Sequence, residues 1–180
     1  MRTRWALAAA GALALGLITL SAPSPLSDSA EAVDESGVCE ANAKAANLNF
    51  TLKDMGNKDV TLAAYKGKVI VLNFWATWCG PCKMEIPVFV DLQTQYGKNG
   101  LQVIGVSVDD TLDKLTSFTS QFKMNYPILQ GLGHDDVQDA FGPIFGVPTT
   151  VVISRDARVC RKHIGISTKE AFEKEIKALL

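Results

Sequence analysis

Apolar residues crowd two stretches of this chain without alternation. Val69-Ile70-Val71-Leu72, resumed after one polar residue by Phe74-Trp75, predicts a strand over Lys68–Trp75 that is buried on both faces. Leu101–Val108 predicts a second such strand, ending at Asp109-Asp110. Between them the spacing changes to that of a helix. Ile86, Val88, Phe89, Leu92 and Tyr96 form a stripe along Glu85–Tyr96, and Pro87 inside it is expected to kink the helix. Thr111–Phe122 carries Leu112, Leu115 and Phe118 on one helical face, and Asp135–Phe141 reads as a short helix. Asn49–Leu52 and Val60–Leu62 flank Met55-Gly56-Asn57-Lys58, a hairpin turn. Thr149–Ile153 and Arg158–Lys162 make an antiparallel pair around Ser154-Arg155-Asp156-Ala157. Ser167 with Glu170 reads as a capping box for a last helix, Thr168–Leu180. These β-α-β units, closed by a hairpin and a helix, predict an α/β fold. Its central mixed sheet is flanked by helices and extended by an N-terminal β-hairpin.

The first residues follow another pattern. Arg2 and Arg4 precede Trp5–Leu20, which is almost wholly apolar and reads as an export signal. A membrane span usually takes about twenty apolar residues. Two fates therefore stay open: cleavage, for which Ala30-Glu31-Ala32 offers a small-residue site, or retention as a tilted anchor. Ser36-Gly37-Val38 ahead of Cys39 is a poor lipid-attachment motif. Ser21–Ser36 is rich in Ser, Pro, Ala and acids and reads as linker. The division is then 1–36 as signal peptide or membrane anchor plus linker, and 37–180 as one domain large enough to bury its own core. With 18 basic and 19 acidic residues and no basic stripe or phosphate loop, nucleic acid is not an expected partner.

The chemistry is concentrated in Trp78-Cys79-Gly80-Pro81-Cys82, at the junction between the first buried strand and the helix after it. Unpaired N–H groups and the positive end of a helix dipole favour a thiolate there. Cys79 comes first and reads as the nucleophile. Cys82, on the same helical face, reads as the resolving thiol. Pro81 suits an early helical position, where a missing N–H costs nothing. The bland alternatives are a structural disulfide or half of a zinc site. Zinc wants two more closely spaced Cys or His ligands, which the sequence does not offer, so no metal and no cofactor are expected. Of the four cysteines, Cys39 and Cys160 are left over, and an oxidising compartment disfavours idle thiols. A Cys39–Cys160 structural disulfide is expected, with free or partner-linked thiols as the alternative. It would tie the N-terminal segment to the sheet near the C-terminal hairpin.

Asn73-Phe74-Trp75-Ala76-Thr77-Trp78-Cys79-Gly80-Pro81-Cys82-Lys83-Met84-Glu85, together with Gly146-Val147-Pro148-Thr149-Thr150, resembles the thioredoxin superfamily. Within it the likeness is to the TlpA/ResA/CcmG branch of extracytoplasmic thiol–disulfide oxidoreductases, and it runs from about Asn49 to Leu180. The resemblance implies a thioredoxin-like fold with Cys79 and Cys82 as the redox pair and a cis Pro148 beside them. Trp78, Gly80, Pro81, Val147 and Pro148 would contact substrate, the Val147 backbone pairing with an extended segment. Many thioredoxins carry a buried carboxylate where this chain has Asn73. Glu85, three residues after Cys82 on the same helical face, matches a glutamate of the ResA branch. Buried under the dithiol, it would have a raised pKa and take the proton of Cys82. The alternative for Glu85 is an exposed first-turn acid that favours the helix dipole.

The neighbours receive structural readings. Trp75 is expected in the core and Trp78 over the dithiol, shielding it from water. Thr77 is a helix N-cap residue type or a loop residue. His134 and His163 are expected in loops or facing solvent, and Met84 and Met124 in packing. Leu129–Gly133 and Gly142–Val147 are expected to be surface loops that set specificity. The leading functional reading is a protein-disulfide reductase in the periplasm or on the outer face of the inner membrane. The resemblance implies apocytochrome c or a copper-assembly protein as substrate, and re-reduction by a membrane donor of the DsbD or CcdA type. A disulfide oxidase or isomerase is the enzymatic alternative, although Gly80-Pro81 lacks the His that favours one. A copper chaperone using the two thiols as ligands is the non-enzymatic alternative. A peroxiredoxin is weaker still, because its reactive cysteine usually stands outside a Cys-x-x-Cys pair.

Overall fold

The central strand β3 (Val69–Trp75), apolar except for Asn73, is buried along its whole length in a computed structural model that describes residues 37–180. The export signal, cleavage point and linker expected over residues 1–36 lie outside the described residues. Among the described residues, no helix is long and apolar enough to cross a membrane. β4 (Leu101–Ser107), equally buried, pairs in parallel with β3, from Val69 opposite Leu101 to Trp75 opposite Ser107. The crossover between them is α1 (Gly80–Tyr96), which runs through Pro87. On the other side of β3 lies antiparallel β6 (Thr149–Ile153), followed by β7 (Val159–Ile164). β1 (Thr51–Asp54) and β2 (Asp59–Thr61) form the N-terminal hairpin. Asp54 closes its turn by accepting the N–H groups of Gly56 and Lys58. With β5 (Ile128–Gln130), the sheet has seven strands in the order β2-β1-β5-β4-β3-β6-β7.

Two apolar layers hold the sheet. On one face Val69, Val71 and Trp75 of β3 pack beneath Ile86, Phe89 and Leu92 of α1. Leu115 and Phe118 of α2 (Leu112–Gln121) and Phe172 and Ile176 of α4 (Lys169–Leu179) complete that layer. On the other face Ile70, Leu72 and Phe74 meet Leu48, Leu52, Leu62 and Val137 of α3 (Asp135–Ala140). Each such side chain, fully buried, contributes about 1.5–3 kcal/mol relative to exposure. Gly105 of β4 lies under the Trp75 indole. A Cβ there would stand 2.9 Å from Trp75 Nε1 and 2.9 Å from Ile128 Cδ1, so the close approach of ring to sheet requires glycine.

Four local expectations are corrected. Leu129 is no surface-loop residue: it is fully buried in β5, held between β1 and β4. Ile128 and Leu129 follow Pro127 and are too few to show a period, so tertiary pairing makes the strand. The cap of α4 is Thr168, not Ser167. The Thr168 side chain accepts the Ala171 N–H, while the Ser167 N–H is turned inward to Glu85. His163 lies in β7 and is largely buried against α4 rather than in a loop. Met84 is exposed, because α1 directs Cys82, Glu85 and Ile86 inward and Met84 outward. Met124 does pack against the core.

β7 ends the sheet, and a free strand edge invites pairing with other chains. Residues 37–46 cover it. Val159 donates its N–H to Lys44 and Ala46 donates to Ala157, while Arg158 and Arg161 bond the carbonyls of Glu40, Ala41 and Gly37. Cys39 and Cys160 are bonded beneath this segment, across 121 residues of sequence. Closing so long a loop gives roughly 4 to 5 kcal/mol by chain entropy, usually an overestimate. Replacing both cysteines by serine is expected to lower stability by about 2–4 kcal/mol in urea unfolding while leaving Cys79–Cys82 exchange intact. A midpoint equal to the parent's would show that the segment is held by hydrogen bonds alone.

Candidate active site

Cys79 occupies the N-cap of α1. Its backbone is extended, and its Sγ accepts the N–H of Cys82 at 3.1 Å. Pro81 takes one of the first helical positions, where its missing N–H costs nothing, and the Cys82 N–H is the helix-end donor that meets sulfur. Cys79 and Cys82 form a disulfide. The pair is nearly covered, with Cys79 only 3% exposed and Cys82 fully buried. The peptide bond between Val147 and Pro148 is cis, and the Val147 carbonyl oxygen lies 3.5 Å from Cys79 Sγ. Strand pairing of β6 begins one residue later, at Thr149.

Trp78 is 62% exposed, and its Nε1 donates to the Asp109 carboxylate at 3.0 Å. The hydrogen bond to Asp109 carries the indole to the rim. Thr77 is not the helix cap. Its N–H and hydroxyl both donate to buried Asp110, at 2.7 and 2.6 Å, and Ser107 adds a third bond at 2.9 Å. Asp110 thereby clamps the Trp78 loop to the end of β4. Asp110 and Ser107 carry no sequence motif that would have marked them.

Beneath the disulfide lies Glu85, 1% exposed. Its Oε1 accepts the Ser167 N–H at 3.1 Å, and its Oε2 lies 3.5 Å from Asn73 Nδ2, which also donates to Thr150 Oγ1 at 2.9 Å. Removal from water pushes the Glu85 carboxyl up from 4.5 to about 7. The Ser167 and Thr150 hydrogen bonds and the nearby His163 oppose that rise only in part. The exposed first-turn reading of Glu85 is thus replaced by a buried one. Tyr126 faces the same interior. Its hydroxyl is buried without a hydrogen-bond partner, and both burial and the Glu85 charge push its pKa up. Among the described residues, no group of three or more His, Cys, Asp or Glu side chains is arranged to hold a metal ion.

An acid whose proton is held more tightly in the fold than in the unfolded chain destabilises the fold once ionised. For Glu85 the penalty is absent below about pH 4.5, grows toward pH 7 and is complete above it. Glu85→Gln is therefore expected to gain stability relative to the parent through that window, by roughly 3 kcal/mol. Urea unfolding of the disulfide forms at both ends of the window reads it. A pH-independent difference would overturn the buried-acid assignment.

Residues 42–162 match the profile of the AhpC/TSA family. The chain is 33% identical over 132 residues to the thiol–disulfide oxidoreductase ResA of Bacillus anthracis, covering 73% of this chain and 75% of that one. A crystal structure of a putative thiol:disulfide interchange protein DsbE from Chlorobium tepidum superposes with a TM-score of 0.70. It is 30% identical over 76% of this chain and 96% of that one. A second C. tepidum thiol:disulfide interchange protein, of the thioredoxin family, also gives 0.70, at 28% identity over 78% of this chain and 99% of that one. The profile match over residues 42–162 and the identity to ResA agree with the disulfide at a helix N-cap beside a cis proline: the chain belongs to the AhpC/TSA family of thioredoxin-fold proteins and is a thiol–disulfide oxidoreductase.

Proposed function

We propose that this protein is an exported protein-disulfide reductase in which Cys79 attacks and Cys82 resolves. The observation that carries this reading is the N-cap position of Cys79, where the Cys82 N–H already points at sulfur and a thiolate is favoured. In the dithiol form, the Cys79 thiolate attacks one sulfur of a substrate disulfide. An S–S bond forms between them, and the other substrate sulfur leaves as a thiolate. The Cys82 thiol then gives its proton to the Glu85 carboxylate and attacks Cys79 Sγ. The mixed disulfide breaks, and the second substrate sulfur departs as a thiolate that takes its proton from water. Two electrons have passed to the substrate, and Cys79–Cys82 is oxidised. A carboxyl near 7 is matched to this proton transfer at neutral pH.

The Val147 backbone, outside the strand pairing and beside Cys79 Sγ, is our site for an extended substrate segment. Trp78, Met84 and Phe145 leave apolar surface exposed on the same loops and first helical turn, with Gly80 and Pro81 between them. Residues 1–36 would deliver the 37–180 domain across the membrane, cleaved or anchored. The chemistry fits a disulfide in apocytochrome c or in a copper-assembly protein, with electrons from a membrane donor of the DsbD or CcdA type.

Gly80-Pro81 between the cysteines is the thioredoxin dipeptide, so the couple is expected near or below roughly −250 mV in glutathione or dithiothreitol titration. A value of roughly −120 to −180 mV would make the protein an oxidase or isomerase instead. Cys79→Ser is expected to abolish insulin reduction, and Cys82→Ser to accumulate a mixed disulfide. Trapping through Cys82 rather than Cys79 would reverse the assigned roles. Glu85→Gln is expected to slow exchange by about 10-fold or more and to remove its pH limb near 7. An unchanged profile would remove Glu85 from the mechanism.

A further inference from the structure

One polar row crosses the apolar layer beneath α1 and α4, and the exchange chemistry uses only one end of it. Asn73 of β3 is in register with Thr150 of β6, and Thr150 is in register with His163 of β7. Directly paired residues of antiparallel strands project to the same face. All three side chains therefore stand on the face that also carries Val71, Trp75 and Val152. α1 lowers Glu85 onto the Asn73 end, where Asn73 Nδ2 reaches both Thr150 Oγ1 and Glu85 Oε2. α4 brings Glu175 to the other end, with its Oε2 2.9 Å from His163 Nε2. Phe172 packs edge-on against the imidazole, its ring centroid 4.9 Å away. The row thus begins at a fully buried carboxyl and ends at a His–Glu pair whose side chains are 20% and 14% exposed.

We propose that His163, held in place by Glu175, is a positioning residue for the dithiol: its charge sets the protonation state of Glu85 and so the pH at which Cys82 can be deprotonated. This rests on the reading that Glu85 takes the Cys82 proton. An imidazolium at the end of the row favours the Glu85 carboxylate, the form that accepts that proton. A neutral imidazole lets Glu85 keep its proton and stop accepting. Only protons are involved; the electrons pass between sulfurs. Histidine is the residue type suited to such a setting, because its ordinary titration falls in the neutral range.

The other groups around the row leave His163 in that position. Glu85 is faced by Tyr126 as a neutral phenol, by the Ser167 N–H ahead of α4, by uncharged Asn73 and Thr150, and by the dithiol of its own helix. His163 is faced by Glu175 from α4. Its same-face strand neighbour Arg161 is turned to the carbonyls of Gly37 and Cys160, and Lys162 on the opposite face bonds those of Phe141, Gly142 and Pro143. A cation at His163 opposes the rise that burial gives the Glu85 carboxyl, without outweighing it.

A purely structural His163–Glu175 pair would tie β7 to α4 without touching this titration, and that separates the two readings. The Glu85 carboxyl carbon of the disulfide form is followed by NMR against pH, alongside the pH profile of insulin reduction by the dithiol form. His163→Gln is expected to move the Glu85 inflection and the kinetic limb up together, by about half a pH unit, an approximately 3-fold change in proton affinity. His163→Lys, a fixed cation, is expected to hold both at or below the parental position. Equal shifts in the Gln and Lys variants overturn the proposal. If His163→Gln moves nothing while Glu85→Gln still removes the limb, His163 is structural and the role of Glu85 stands. If Glu85→Gln leaves the limb in place, the reading of Glu85 fails and the proposal falls with it.

Discussion

A carboxyl group buried under a disulfide has to be satisfied from several directions, and satisfying Glu85 fixes where the elements of this site meet. The acid hangs from the second turn of α1. The Ser167 N–H reaches it from the approach to α4, and the Asn73 amide reaches it from β3. Each donor belongs to a different piece of the chain, so the carboxyl acts as a common reference for helix, sheet and loop. These bonds only partly offset the cost of removal from water, and the group stays poised near neutrality instead of being held as a permanent anion. The apolar layer formed by Phe89, Phe172 and Ile86 keeps the surroundings dry enough for that to persist.

Much of this arrangement was legible in the sequence because the relevant signals are local. Short, largely apolar runs rich in β-branched residues mark doubly buried strands, and β3 and β4 are that. A Cys-x-x-Cys at a strand-to-helix junction places two sulfurs at a helix start whatever the rest of the fold does. Glu85 follows Cys82 by three residues and so shares its inward face. What escaped was set by contacts made at a distance. β5 is three residues long and exists because β1 and β4 flank it. Thr168 caps α4 because Ser167 is engaged elsewhere, a competition that no four-residue pattern encodes.

His163 shows the limit most clearly. A four-residue turn over Ser154–Ala157 would set Arg161 opposite Thr150. Instead Ser154 bonds Arg158 across a three-residue loop with Ala157 in the left-handed region. A register shift beside Val152 then moves the pairing further, and His163 arrives opposite Thr150. Two residues of slip keep the same face forward while changing which side chain completes the row. Trp78 taught a related lesson: its partner Asp109 lies more than thirty residues on, and no local pattern announces that bond.

Between the two sulfurs the surroundings are of the opposite kind. A Cβ added at Gly80 would meet no atom within 4 Å, and Gly80 does not use a left-handed backbone. The two residues between the sulfurs are exposed, and a side chain at Gly80 would project into open space. Substitution at Gly80 therefore disturbs no packing of the core, whereas the sulfurs on either side of it are held by the helix start. A lineage could retune its driving force residue by residue at Gly80 and Pro81 without renegotiating the core, and the same scaffold could serve compartments of very different oxidising strength.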